Sequence, residues 1–320
     1  MKVNANKPDR WKKDIVQSID FYNDWFMRFA PAAYRKTRSS TTVEVTQAFT
    51  NTHNLAQINA STMKAYPQIL AILRMTTAPP LARDRLIGLA GISPSLVSNM
   101  EQKLRLPPRM SAKEIDRQLK QVGQVIDQLL DRDLFPWLDS NQNTGDADIL
   151  RAATVVADRL CGSVADPIIR NAQEQRQLAT IRDWLKQQGY REIGIGNRVD
   201  FQSMEPGQFS FRLNVPVMQA ERTKSINIPV DAVIKPKNAN MTELPLLIEA
   251  KSAGDFTNTN KRRKEEAAKM MQLRATYGQQ IRFVLFLCGY FDTGYLGYEA
   301  AEGIDWVWEH RPDDLLDLGL

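Results

Sequence analysis

Cysteine and histidine are nearly missing from this sequence of 320 residues. The two cysteines, Cys161 and Cys288, each sit alone in an apolar stretch. Such a pair makes neither a disulfide framework nor a zinc knuckle, so both read as buried free thiols in a reducing compartment. The two histidines, His53 and His310, lie far apart in the chain, which argues against a histidine-rich zinc site and against a Ser-His-Asp triad. A bound metal must then lean on carboxylates, a donor set that suits hard cations such as Mg²⁺. No run approaches the apolar length of a membrane span, and the N-terminal MKVNANKPDRWKKD has no hydrophobic signal core. A cytoplasmic protein with no membrane partner is expected.

With 43% hydrophobic and 25% charged residues, the composition is that of a globular protein. The length suffices for two compact domains or one large one. The net charge of +5 is compatible with a polyanionic partner without requiring one.

The first half has helical periodicity. Ile15, Ile19, Tyr22, Phe26 and Phe29 recur at helical spacing between Trp11 and Ala30, and Pro31 is expected to end that helix. Ser111-Ala112-Lys113-Glu114 is a capping-box pattern opening a helix with Ile115, Leu119, Val122, Ile126 and Leu129 on one face, which Pro136 is expected to close. Asp139–Asp146, DSNQNTGD, is polar and lacks an apolar anchor; it is a linker or a long surface loop. Two helices are expected next, Ile149–Leu160 and Pro167–Gln188, the second stopped by Gly189. Strand-like segments then follow at Phe209–Met218, Ser225–Ile234, Leu244–Ala250, Arg282–Cys288 and Gly303–Trp308, with one helix at Lys261–Thr276. The expected class is α/β (α+β): a helical region over 1–140, then a mixed β-sheet core flanked by helices over 148–320.

Leu246-Leu247-Ile248 is apolar without alternation, as in a strand covered on both faces. It runs into Glu249-Ala250-Lys251. Side chains two apart in a strand share a face, so a carboxylate and an ammonium emerge side by side. Asp231 closes the earlier segment SINIPVD, and it meets Glu249 if the two strands are neighbours. Two carboxylates about 4 Å apart repel by roughly 4 kcal/mol at an effective dielectric near 20. A divalent cation converts that repulsion into binding. Lys251 can then hold a water or offset charge on an attacked phosphate. The alternative is an ordinary surface ion pair.

Pro229-Val230-Asp231 with Glu249-Ala250-Lys251 resembles the PD-(D/E)xK nuclease signature, with PVD in place of PD. The resemblance implies that Asp231, Glu249 and the Ala250 backbone carbonyl hold Mg²⁺ and that Lys251 assists the attacking water. It also implies that an acidic residue on the helix before the sheet, here Glu174, completes the site; the other reading of Glu174 is a solvated helix charge. The segments FYNDWFMRFAP, RDRLIGLAGISPSLVSNME, LPPRM, LLDRDLFPWLD, RNAQEQRQLATIRDWLKQQGYRE, IPVDAVIKP and LIEAKSAGDFTNTNKRRKEE are similar to the XamI family of type II restriction endonucleases. That similarity runs from Lys7 to Leu316. It implies Mg²⁺-dependent, site-specific cleavage of double-stranded DNA, associated in the family with the palindrome GTCGAC, and a cognate DNA methyltransferase as genomic partner.

Two segments are candidate DNA contacts. Lys261-Arg262-Arg263-Lys264 opens the helix after the signature strand, where only one or two of the cations can face a phosphate track because successive residues turn by about 100°. Glu265 and Glu266 are i,i+4 partners of Lys261 and Arg262. Asn258, Thr259 and Asn260 precede them and can donate to phosphate or bases. The other reading is a solvated cluster. Residues 82–102, ARDRLIGLAGISPSLVSNMEQ, have the form of a helix-turn-helix. Leu86, Leu89 and Ala90 form one apolar face, Gly91 permits the turn, and Ser93 caps a second helix that starts at Pro94. Ser95, Ser98, Asn99 and Gln102 are expected to be exposed for a groove; a structural helical corner is the alternative. This region is assigned to DNA recognition or dimerisation. The chain has one Asp231/Glu249/Lys251 set, so a double-strand break at a palindrome calls for a homodimer. A DNA-repair or junction nuclease, and a non-catalytic helix-turn-helix DNA-binding regulator, are the competing functions.

Overall fold

The computed structural model describes residues 2–139, 145–194, 200–218, 225–257 and 259–320, with backbone alone at 163 and 259–262. Residues 140–144 of the expected linker lie outside the described residues. The chain divides into two compact units, Met1–Phe29 with Arg170–Leu320, and Ala30–Ile169. The division falls inside two long helices rather than at the expected boundary near 140–148. These are α1, Pro8–Asn51, and α7, Asp146–Gln187.

Both helices run through a proline that was expected to interrupt them. Pro31 lies inside α1, and Pro167 lies inside α7 where two helices were expected. An interior proline removes one hydrogen bond and costs about 3 kcal/mol. Packing on either side outweighs that cost. Helix α1 gives Ile15 to one core and Val45, Ala48 and Phe49 to the other. Helix α7 gives Ala152, Ala153, Val156 and Ala157 to one, and Leu178, Ile181, Trp184 and Leu185 to the other.

The second unit is helical: α2 (Ala60–Ala65), α3 (Ile69–Met75), α4 (Arg83–Ala90), α5 (Pro94–Gln102) and α6 (Ala112–Leu129). The capping box is formed, Glu114 N–H donating to Ser111 Oγ at 3.3 Å, and Ile115, Leu119, Val122 and Ile126 are buried. Helices α4 and α5 make the expected hairpin. Gly91 ends α4 at φ +59°, a conformation that glycine adopts without steric cost, and Ser93 Oγ accepts the Ser95 N–H at 3.2 Å. Leu86, Ala90, Val97 and Met100 are buried, whereas Leu89, expected on the apolar face, is 47% exposed. Glu101 locks the hairpin. Its buried carboxylate lies 2.6 Å from Arg74 on α3 and 2.5 Å from Arg83 on α4.

The first unit carries a six-stranded sheet in the order β1 to β6: Arg191–Glu192, Gln208–Met218, Ser225–Ile234, Leu246–Ala253, Arg282–Gly289 and Asp305–Trp308. Strand β3 is antiparallel to both neighbours, β2 and β4; β1 is parallel to β2, and β5 and β6 continue parallel to β4. The parallel steps from β4 to β5 and from β5 to β6 cross over through α8 (Thr259–Tyr277) and α9 (Thr293–Ala301). The sequence reading lacked β1 and α9. A two-residue strand carries no periodicity, and α9 is apolar and short. Leucines and aromatics of α7 cover one sheet face, while Met270 and Leu273 of α8 with Tyr295 and Leu296 of α9 cover the other. The result is the expected mixed α/β architecture, a helical region and a sheet flanked by helices.

Candidate active site

The site is built where two strands stop alternating. Side chains two apart in a strand share a face, yet Phe211 packs on the α7 side and Leu213 on the α8 side. Ala232 and Val230 of β3 split in the same way. The register Phe211↔Ala232 and Leu213↔Val230 puts Arg212 across from Asp231, so both strands turn over at this one pair. Arg212 has φ +53°, a left-handed conformation that costs a side-chain-bearing residue about 1–3 kcal/mol.

The β3–β4 ladder ends at the same level. Its last pair is Ala232↔Ile248, so Asp231 and Glu249 face each other immediately beyond it. Oδ2 of Asp231 accepts the Ala250 N–H at 2.8 Å, in place of a β3 carbonyl. In a strand the N–H and C=O of one residue point to the same edge, so the Ala250 carbonyl opens into the same gap.

Glu249 and Lys251 meet a helix whose charges are crossed with theirs. Glu249 Oε1 lies 3.1 Å from Lys251 Nζ and 2.6 Å from Lys269 Nζ of α8. Lys251 Nζ lies 3.5 Å from Glu266 Oε1, and Glu266 Oε2 accepts the Tyr295 hydroxyl at 2.9 Å. Burial works against the Lys251 charge, but Glu249 and Glu266 outweigh it and hold its pKa above the usual lysine value. Asp231 is pushed up to about 6, by burial first and then by Glu249 and Glu174, with the Ala250 N–H and Lys251 opposing.

A pocket of about 330 Å³ opens over this set. Asp231, Glu249, Ala250, Lys251 and Ser252 line it from the sheet, Arg170, Gln173, Glu174 and Gln177 from α7, and Glu265 from α8. Two depressions elsewhere are larger, about 630 and 730 Å³, but neither is lined by a buried carboxylate. Among the described residues no three His, Cys, Asp or Glu side chains form a metal-ligating group. The donor set is two carboxylates and one carbonyl, and it fits a hard cation that keeps several waters. The decisive atom is Glu249 Oε2, buried and without a hydrogen-bond partner among the described residues. A buried carboxylate oxygen left unpaired is costly, and a cation held by Glu249 and Asp231 would satisfy it.

The other expected site residues are scattered. Glu174 reaches the pocket, but its Oε1 accepts from Arg212 at 2.6 Å in a half-exposed pair. Asn258 and the side chains of Thr259, Asn260, Lys261 and Arg262 lie outside the described residues. Arg263 is half-buried, its guanidinium 4.2 Å over the Tyr298 ring, and its Nε is enclosed; that inward packing takes it out of a phosphate track. On α5, Ser95 and Gln102 are exposed, and Ser98 is half-buried and donates to Gln102 Oε1 at 2.9 Å. Asn99, expected to be exposed, is 8% exposed, and its Nδ2 donates to the Ser95 carbonyl at 2.8 Å. A side-chain amide turned onto its own helix backbone is not free to read a base.

Four residues of the site escaped the sequence reading. Glu266 stands in a run of charges and reads as a surface partner of Arg262, yet it is fully buried on Lys251. Lys269 lies one helical turn further on, and the pattern Glu-x-x-Lys opposite Glu-x-Lys is the signal that was available. Gln177 donates to the Lys251 and Phe286 carbonyls at 3.2 and 3.0 Å and ties α7 to β4 and β5. Arg212 leaves no mark in sequence, because its importance lies in a backbone angle.

The chain is similar to known proteins over most of its length. The XamI restriction endonuclease family matches residues 53–308. The Type II restriction enzyme SalI of Streptomyces albus G is 55% identical over 317 residues, which are 99% of either chain. Among solved structures, protein VC1899 from Vibrio cholerae aligns at 14% identity and a TM-score of 0.27 over 79% of this chain, which spans 53% of that one; a likeness so low carries no argument. The family match over most of the chain and the full-length similarity lead to one conclusion: the chain belongs to the XamI family of type II restriction endonucleases.

Proposed function

We propose that this type II restriction endonuclease hydrolyses double-stranded DNA with Mg²⁺ held by Asp231, Glu249 and the Ala250 carbonyl, and with Lys251 serving the attacking water. The observation that carries the reading is Glu249 Oε2, buried beside Asp231 and without a hydrogen-bond partner among the described residues. Mg²⁺ supplies positive charge against which phosphate and water oxygens can be polarised. Lys251 has three N–H donors. Ion pairs with Glu249 at 3.1 Å and Glu266 at 3.5 Å hold its ammonium, whose N–H groups can serve a water or a phosphate oxygen in the pocket. Asp231 and Glu249 must both be ionised to bind a cation, and the raised Asp231 pKa reflects their mutual repulsion as well as burial. Glu174, held at the pocket by Arg212, serves a water there.

The enzyme acts in the cytoplasm as a homodimer on the palindrome GTCGAC, beside a methyltransferase that protects the same site. Among the described residues no helix is long and apolar enough to cross a membrane. The helical unit supplies Ser95, Ser98 and Gln102 to the groove. Purified protein is expected to cut phage DNA into discrete fragments with Mg²⁺ and to stop when a chelator is added. Uniform degradation of every sequence, or cutting confined to branched DNA, would remove the reading.

A further inference from the structure

Lys251 is enclosed, its side chain 19% exposed. An ammonium that has lost most of its hydration needs carboxylates close by. Glu249 cannot be its sole support. Glu249 is shared with Lys269 at 2.6 Å, and under the function proposed above it also binds the cation. Glu266 has neither commitment. It is fully buried, it is not among the residues lining the pocket, and its second oxygen is fixed by the Tyr295 hydroxyl at 2.9 Å. Tyr295 is itself 2% exposed, on α9. A chain of contacts therefore runs from Tyr295 on α9 through Glu266 on α8 to the Lys251 ammonium.

We infer that Glu266, anchored by Tyr295, is the positioning residue for Lys251: it holds the ammonium in place while Glu249 is engaged elsewhere. The inference rests on the role given to Lys251 above. Glu266 acts through Lys251 and not on the substrate, so its loss lowers the rate of cleavage and leaves DNA affinity and cation demand unchanged.

The test compares Glu266→Gln and Tyr295→Phe with the unmodified enzyme. Single-turnover cleavage is measured at two Mg²⁺ concentrations, and DNA affinity is measured with Ca²⁺ in place of Mg²⁺. Glu266→Gln is expected to cut about 10- to 100-fold more slowly, as when a residue supporting a site is lost, with affinity within about twofold and no recovery at high Mg²⁺. Tyr295→Phe keeps the carboxylate and loosens it, for about a 3- to 10-fold loss of the same kind, the worth of one hydrogen bond. If Glu266→Gln does not fold, Tyr295→Phe decides. Unchanged cleavage, recovery at high Mg²⁺ (a cation-binding role) or a matching loss of DNA affinity (a structural role) each overturns the inference. A fully active Lys251→Ala would overturn this inference and the site assignment together. An inactive Lys251→Ala with fully active Glu266→Gln overturns this inference alone.

Discussion

The Ala250 N–H donates to Oδ2 of Asp231 at 2.8 Å, one residue past the last β3–β4 pair. A side chain has taken over a ladder hydrogen bond, and the half-buried Asp231 and buried Glu249 carboxylates stand opposite each other. In Asp231→Ala that arrangement loses one carboxylate, and in Lys251→Ala it loses the ammonium. Each substitution is expected to slow cleavage by at least about 10²-fold, the usual cost of removing one preorganised charge, while sequence-specific binding persists. Single-turnover rates beside gel-shift titrations in Ca²⁺ check this; wild-type cleavage in either protein would dismiss the assignment.

Arg212 offers a test in which stability and activity move apart. A glycine in mid-strand normally destabilises by about 0.5–1 kcal/mol, but Arg212 holds φ +53°, which glycine tolerates freely. Its ion pair with Glu174 is half-exposed and contributes little to stability. Arg212→Gly should therefore unfold at or slightly above the wild-type temperature while cutting more slowly, since Glu174 loses its partner at the pocket. A clear fall in melting temperature would show that φ is not the constraint.

Glu299 on α9 is fully buried, and neither of its carboxylate oxygens has a hydrogen-bond partner among the described residues. Its pKa is pushed up to about 8, by burial first and then by Glu266 and Glu302, with Arg263 and Lys251 opposing. The folded value lies above the unfolded one. Stability from this group is therefore complete below the ordinary glutamate pKa and is lost as pH rises through about 8. Between about pH 6 and pH 9 the wild-type melting temperature should fall more steeply than that of Glu299→Gln, by about 3–6 °C. Equal slopes would mean that the carboxyl is solvated or paired.

Glu101 is the buried partner of two arginines, one of them, Arg74, enclosed. Glu101→Ala leaves Arg74 charged and unpaired, a change that costs about 3–5 kcal/mol. Urea denaturation followed by circular dichroism should show that loss in the helical unit. A shift below about 1 kcal/mol would make the cluster a surface feature.

Base reading by α5 has a narrow test. Gln102 and Ser95 are exposed, and Asn99 is not. Gln102→Ala should relax discrimination between cognate and single-substituted sites by about 1–3 kcal/mol, measured as a ratio of cleavage rates, whereas Asn99→Ala should chiefly lower stability. Unchanged discrimination in Gln102→Ala would leave the hairpin a structural corner.

The sequence by itself determined whatever depends on near neighbours. The Ser111 capping box, the Gly91 turn with its Ser93 cap, the strand bounds Ser225–Ile234 and the pair Glu249 and Lys251 on one strand face were all legible, because caps, turns and alternation are set within a few residues. Tertiary structure decided what lies opposite. Pro31 and Pro167 signal a helix end locally, but burial on both sides carries the helix through. Glu266 and Arg263 belong to a run of charges that reads as solvated, and only the packing of α8 on α9 and β4 makes one a buried support for Lys251 and the other a cation stacked on Tyr298. The reversal of β2 and β3 at Arg212 and Asp231 is a backbone event, stabilised by the cores on the two faces of the sheet. A polar side chain's environment is set by what the fold brings across from it, and that partner is distant in sequence.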